Sequence, residues 1–171
     1  MATQRRPATD DEARALASAL RLRILRICLE PRTNKEIAGA LGRDPASILH
    51  HVRRLVDTGF LVAQPVRRGT RGSREIPYLA TRKSWQLETP AKGRALLEAF
   101  LEEVALAPAE ELVTSRLGLR LTEREMTGFI DRLGALLDEY AQRPDDPAAR
   151  PFSLFLAIHP DVARERASQI Q

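Results

Sequence analysis

A chain of 171 residues, 43% hydrophobic and 29% charged, is long enough for one globular domain or two small ones. No apolar run approaches the ~18 residues of a membrane span. The basic N-terminus has no apolar core behind it, so it does not read as a signal peptide. The single cysteine, Cys28, excludes an internal disulfide framework and any Cys-pair metal site, and the expected setting is the cytoplasm.

Charge is unevenly spread. Met1 to Thr89 carries 17 Lys+Arg against 9 Asp+Glu, whereas Pro90 to Gln171 carries 10 against 14. A basic half joined to an acidic half predicts that only the first faces a polyanion.

In chain order, the first predicted helix spans Asp10 to Leu29. Thr9 and Glu12 have the spacing of a capping box, and Leu16, Leu20, Ile24, Ile27 and Cys28 form one apolar stripe. Pro31 stops it. Thr33 and Glu36 repeat the box before a short helix with Ile37, Ala38 and Leu41, ended by Gly42. Asp44 as N-cap and Pro45 in the first turn open a third helix, which turns Ile48, Val52, Leu55 and Val56 inward and ends near Gly59. Phe60 to Ala63 reads as a strand, Arg67 to Arg74 as a glycine-bearing hairpin tip and Glu75 to Ala80 as the return strand. Ser84 to Leu87 is a candidate third strand.

Thr89-Pro90 opens another helix, striped by Leu96, Leu97, Phe100, Leu101 and Val104 and closed by Pro108. Val113 to Leu121 then alternates apolar and polar residues, a period of two that predicts a strand with one buried face. Thr122 and Glu125 form a third capping box before a helix bearing Phe129, Leu133, Leu136, Leu137 and Tyr140. Phe152, Leu154, Leu156 and Ile158 alternate as a closing strand. The expected fold is therefore α+β: a winged helix-turn-helix domain followed by a small strand-helix-strand domain. The expected division is residues 1–89, a linking or dimerisation helix at 90–107, and an accessory unit at 108–171 for dimerisation or effector sensing.

Helix, turn, helix and basic hairpin is a layout that places its second helix in a DNA major groove and its hairpin tip on the backbone. Arginine and lysine supply phosphate affinity regardless of sequence, and base edges are read from the exposed N-terminal part of the second helix. The outward positions there are Ala46, Ser47, Leu49, His50, Arg53 and Arg54. Ser47 and His50 are the candidate base readers, and Arg43, Arg53 and Arg54 the candidate phosphate contacts. Thr33, Asn34 and Lys35 open a helix whose free N–H groups also suit a phosphate. The tip places Arg67, Arg68, Arg71 and Arg74 within eight residues, and with no acid between them they would repel one another without an anionic partner. The alternative is a winged helix that binds RNA or a protein.

The segment Leu20 to Leu87 resembles the ArsR-type winged-helix transcriptional repressors of bacteria, whose signature runs roughly S-x-H-L-x-x-L-x-x-x-G-L-V into the wing. Here Leu49-His50-His51-Val52-Arg53-Arg54-Leu55-Val56-Asp57-Thr58-Gly59-Phe60-Leu61-Val62 places His51 on the family's histidine and Leu49 where it has serine. The resemblance implies a repressor that binds double-stranded DNA as a homodimer, through the first helix and the helix from Pro90 to Ala105.

Many members of that family sense metals through a Cys-x-Cys pair or His/Asp pairs, and this chain has neither pattern. His50 and His51 are adjacent and point about 100° apart on a helix, so they cannot chelate one ion together. No phosphate loop, nucleophile elbow or ligand pair marks the C-terminal half, and Asp138-Glu139 reads as a solvated edge. No enzyme, metal or cofactor is expected, and any small-molecule effector is unidentified.

Overall fold

The computed structural model describes residues 5–69, 72–88, 92–144, 146 and 148–168. It divides into two compact units, Gln4–Pro108 and one containing Ala109–Gln171.

The first unit begins with β1 (Arg6–Pro7). Thr9 then caps α1 (Asp10–Leu16) with its capping box complete. The single helix expected from Asp10 to Leu29 is two helices, because α2 (Ala19–Ile27) starts afresh at Ser18. The Ser18 hydroxyl accepts from the Arg21 backbone N–H, the local bond by which serine competes with helix continuation. Arg21 then turns its guanidinium back onto the carbonyls of Ala15 (2.5 Å) and Arg14 (2.7 Å) at the end of α1.

The two-residue strand β2 (Arg32–Thr33) leads into α3 (Asn34–Leu41), capped by Thr33 and ended by Gly42 at φ +60°. In α4 (Pro45–Asp57), the Asp44 carboxylate accepts from the N–H groups of Ala46 (2.9 Å) and Ser47 (3.2 Å). Ile48, Val52 and Leu55 of α4 are fully buried against Leu16, Ile24, Ile37 and Phe60, each contributing roughly 1.5–3 kcal/mol of transfer free energy. Gly59, at φ +71°, takes the left-handed turn that follows.

The wing contains β3 (Leu61–Ala63), β4 (Arg67–Arg68), β5 (Arg74–Glu75) and β6 (Pro77–Ala80). β3 and β2 flank β6 in an antiparallel three-stranded sheet, with Leu61 opposite Ala80 and Thr33 opposite Pro77. The third strand expected at Ser84 to Leu87 is instead a 3-10 turn at Lys83–Gln86, then β7 (Leu87–Glu88). β7 pairs in parallel with β1, Arg6 opposite Leu87. The wing sheet takes its third strand from β2, too short to register as an alternating pattern.

The helix α5 (Lys92–Val104) packs on α2, burying Ala95 and Ala99 in the same core. Ion pairs from Arg23 to Glu102 and from Arg26 to Glu103 border that contact. Thr89 and Pro90, expected to open this helix, lie outside the described residues.

In the second unit, α6 (Glu123–Ala141) carries the expected capping box of Thr122 and Glu125, and α7 (Val162–Ser168) follows near the end. The strands expected at Val113 to Leu121 and at Phe152 to Ile158 are not assigned, so the strand-helix-strand arrangement is not formed within this chain. Alternation encodes which face of a strand is apolar, but a strand also requires a neighbour to complete its hydrogen bonds, and neither segment has one among the described residues. Asp138, read as solvated, is buried.

Candidate nucleic-acid interface

The cap of α3 occupies the first place where a phosphate was expected. Thr33 is buried, with its hydroxyl accepting from the Glu36 N–H (3.3 Å) and its own N–H donating to the Glu36 carboxylate (2.7 Å). These bonds, the backbone one foremost, hold Glu36 below the usual carboxylate range, and Arg67 adds to the effect. A negative side chain thus sits where an incoming phosphate would have to go, so the α3 terminus is not an anion site. Asn34, half-buried, donates its amide to the Pro45 carbonyl (2.8 Å) and ties α3 to the start of α4. Of the three residues expected here, only Lys35 stands in solvent.

The outward face of α4 holds more of the expectation. Ala46, Ser47, His50 and Arg53 are exposed, as is Arg43 in the preceding turn. Leu49, expected outward, is half-buried. Arg54 does not join the free guanidinium groups. It pairs with Asp11 of α1 at 3.0 Å, a partner 43 residues away that helix periodicity cannot reveal.

His51 is half-buried behind His50, the rings meeting edge to face with centroids 5.6 Å apart. Burial, followed by the positive charge of Arg21, holds its imidazole below the usual histidine range. A neutral, half-covered ring at this position supports the helix and leaves groove contact to His50.

At the wing, Arg67 is neutralised by Glu36 and lies 3.8 Å from Glu75. The expected set of four free guanidinium groups is reduced accordingly, and Arg71 falls outside the described residues. Arg68 and Arg74 remain. They are directly opposite across the β4–β5 ladder, both exposed, and neither has an acidic partner among the described residues. Like charges facing each other across two strands are destabilising, so this pair favours an anion between or above the two guanidinium groups.

A clamp that the sequence did not reveal orients these parts. Glu12, almost wholly buried, bonds Arg6 (2.7 Å) and Lys83 (2.7 Å), and both cations hold its carboxyl far below the usual range, Arg6 most strongly. Lys83 also donates to the Thr58 carbonyl at the C-cap of α4 (2.8 Å) and lies over the Phe60 ring.

Cys28 is fully buried, and burial pushes its thiol up to about 12. No helix among the described residues is long and apolar enough to cross a membrane.

A family model described as a helix-turn-helix domain matches residues 16–68. No curated protein matches the chain. Among solved structures, the chain is similar to the transcriptional regulator SlyA at 19% identity, over 72% of this chain and 75% of that one, with a TM-score of 0.33. It is similar to ZitR of Lactococcus lactis, a zinc-responsive MarR family member, at 18% identity over 82% and 81%, TM-score 0.29. A mutant MepR from a multidrug-resistant S. aureus clinical isolate is 14% identical over 72% and 78%, TM-score 0.28. At such scores these likenesses assign no function, and the residues themselves have to carry it.

Proposed function

We propose that this protein is a sequence-specific DNA-binding transcriptional regulator. The Arg68–Arg74 pair carries the reading: two exposed guanidinium groups held opposite each other on the wing of a helix-turn-helix domain. Wing arginines bind one phosphate backbone, while Ser47 and His50 on α4 reach base edges and Arg43 and Arg53 take flanking phosphates. No bond is made or broken. The protein acts by occupying its operator.

On the finer points the protein is ArsR-like by its His51-to-Gly59 spacing, cytoplasmic, and a repressor that excludes polymerase as a homodimer. One recognition helix reads only a few base pairs, and a two-fold dimer on a palindrome doubles the site. A mobility-shift titration against the DNA flanking its own gene tests the reading. A specific complex that weakens steeply with salt is expected. Absence of any sequence-specific complex at moderate salt would overturn it. Equal binding to duplex RNA would also count against it, because the A-form major groove is too narrow for a helix.

A further inference from the structure

The unit containing Ala109–Gln171 has no buried apolar side chain among its described residues; Asp138 is the one residue buried there. Its apolar content is nevertheless high and patterned. Val113 is 98% exposed and Phe152 86%, with Leu117 and Leu154 close behind. On α6, Ile130, Leu136 and Tyr140 stand about half exposed. Chain entropy opposes folding by roughly 1–2 kcal/mol per residue, and burial of apolar surface is the main term that offsets it. The second unit lacks that term in a single copy.

We propose that the second unit is half of an intermolecular domain, completed by the same unit of a second copy of this chain. This deepens the reading above by naming the surface through which the homodimer forms. The alternating segments 113–121 and 152–158 flank α6 as strand, helix, strand. Doubling that pattern gives four strands and two helices, the composition of a β-α-β-β-α-β sandwich. Each copy supplies the strand neighbour the other lacks, and the helices cover one face of the shared sheet.

The surface available matches that role. The exposed apolar side chains of this unit offer on the order of 1,000 Å² per chain, taking aromatic side chains at roughly 150–250 Å² each. A stable specific interface needs about 800 Å² per partner. Charge does not oppose the pairing, because the unit's 8 arginines and 11 acids are interspersed along it. A two-fold axis brings identical patches together, so a self-complementary strand edge and apolar face suffice without a second kind of partner.

Sedimentation equilibrium of the full-length protein at micromolar concentrations is expected to show a dimer. Leu117→Asp and Leu154→Asp, each at an exposed position, are expected to raise its dissociation constant roughly thirtyfold or more. Hydrogen exchange of the unsubstituted chain is expected to show protection of 113–121 and 152–158 that rises with protein concentration. A monomeric wild type overturns the proposal, as does a dimer that both substitutions leave intact. Protection independent of concentration overturns it too, since the segments would then be covered by their own chain. A dimer of this kind that binds no specific DNA would leave the interface standing and remove the regulatory reading. Specific DNA binding by a dimer insensitive to Leu117→Asp would do the reverse.

Discussion

The Lys83 ammonium lies 2.7 Å from the Glu12 carboxylate, joining the exit of the wing to the first turn of α1. The same ammonium holds the last turn of α4 through the Thr58 carbonyl. The angle between recognition helix and wing is therefore set from behind by a buried carboxylate that touches no DNA. Glu12→Gln should lower stability by about 1–3 kcal/mol, the usual loss of hydrogen bonds to a charged group, read as a shift in urea midpoint at neutral pH. Because the folded carboxyl titrates below its unfolded value, its contribution is complete above about pH 4.3 and lost as pH falls below that. The acid unfolding curve of Glu12→Gln should accordingly be the shallower of the two.

Wing and recognition helix should fail differently. Arg68→Ala removes one guanidinium of the opposed pair, so binding to every sequence weakens and the slope of log K against log salt falls by roughly 0.9 for each phosphate no longer neutralised. His50→Ala should leave that slope unchanged and cost about 1–3 kcal/mol of discrimination between operator and scrambled duplex. A titration of both variants on both duplexes at several salt concentrations separates the two effects.

Arg54→Ala should change little. Its guanidinium is held by Asp11 at the surface, and exposed pairs are worth about 0–1 kcal/mol. DNA affinity within about twofold of the parent is expected, and a large drop would show that Arg54 leaves Asp11 for a phosphate.

The Asp44 cap holds the end of α4 that carries Ala46, Ser47 and His50. Asp44→Ala should destabilise the protein by about 0.5–2 kcal/mol, while Asp44→Ser should restore most of the loss. Thermal unfolding of both variants checks this.

Cys28 should resist alkylation at pH 8 in the native protein, because the thiolate is the nucleophile and burial pushes the thiol up to about 12. Mass spectrometry after iodoacetamide should show modification only in denaturant.

Features written in neighbouring residues were legible. All three capping boxes formed as their spacing predicts, as did the Gly42 and Gly59 turns, since the atoms that decide them lie within four residues. The break at Ser18 was not legible, because the apolar stripe runs through it and only the backbone contest decides the outcome. Arg54 and Arg67 were read as free because their partners, Asp11 and Glu36, are 43 and 31 residues away. The expected strands of the second unit show a different limit. Periodicity reports which face is apolar and says nothing of where the neighbouring strand comes from.

The parallel pairing of β1 with β7 has a consequence for the order in which the protein is made. Arg6 and Leu87 meet after about eighty intervening residues, and contacts of such separation form late because loop closure must precede them. On the ribosome, the N-terminal arm waits unpaired until the whole wing has emerged. Only then does Glu12 receive its second cation, from Lys83. The DNA-binding unit thus finishes as a closed ring whose clasp is its last-synthesised strand, and a chain released before Leu87 would lack the clasp.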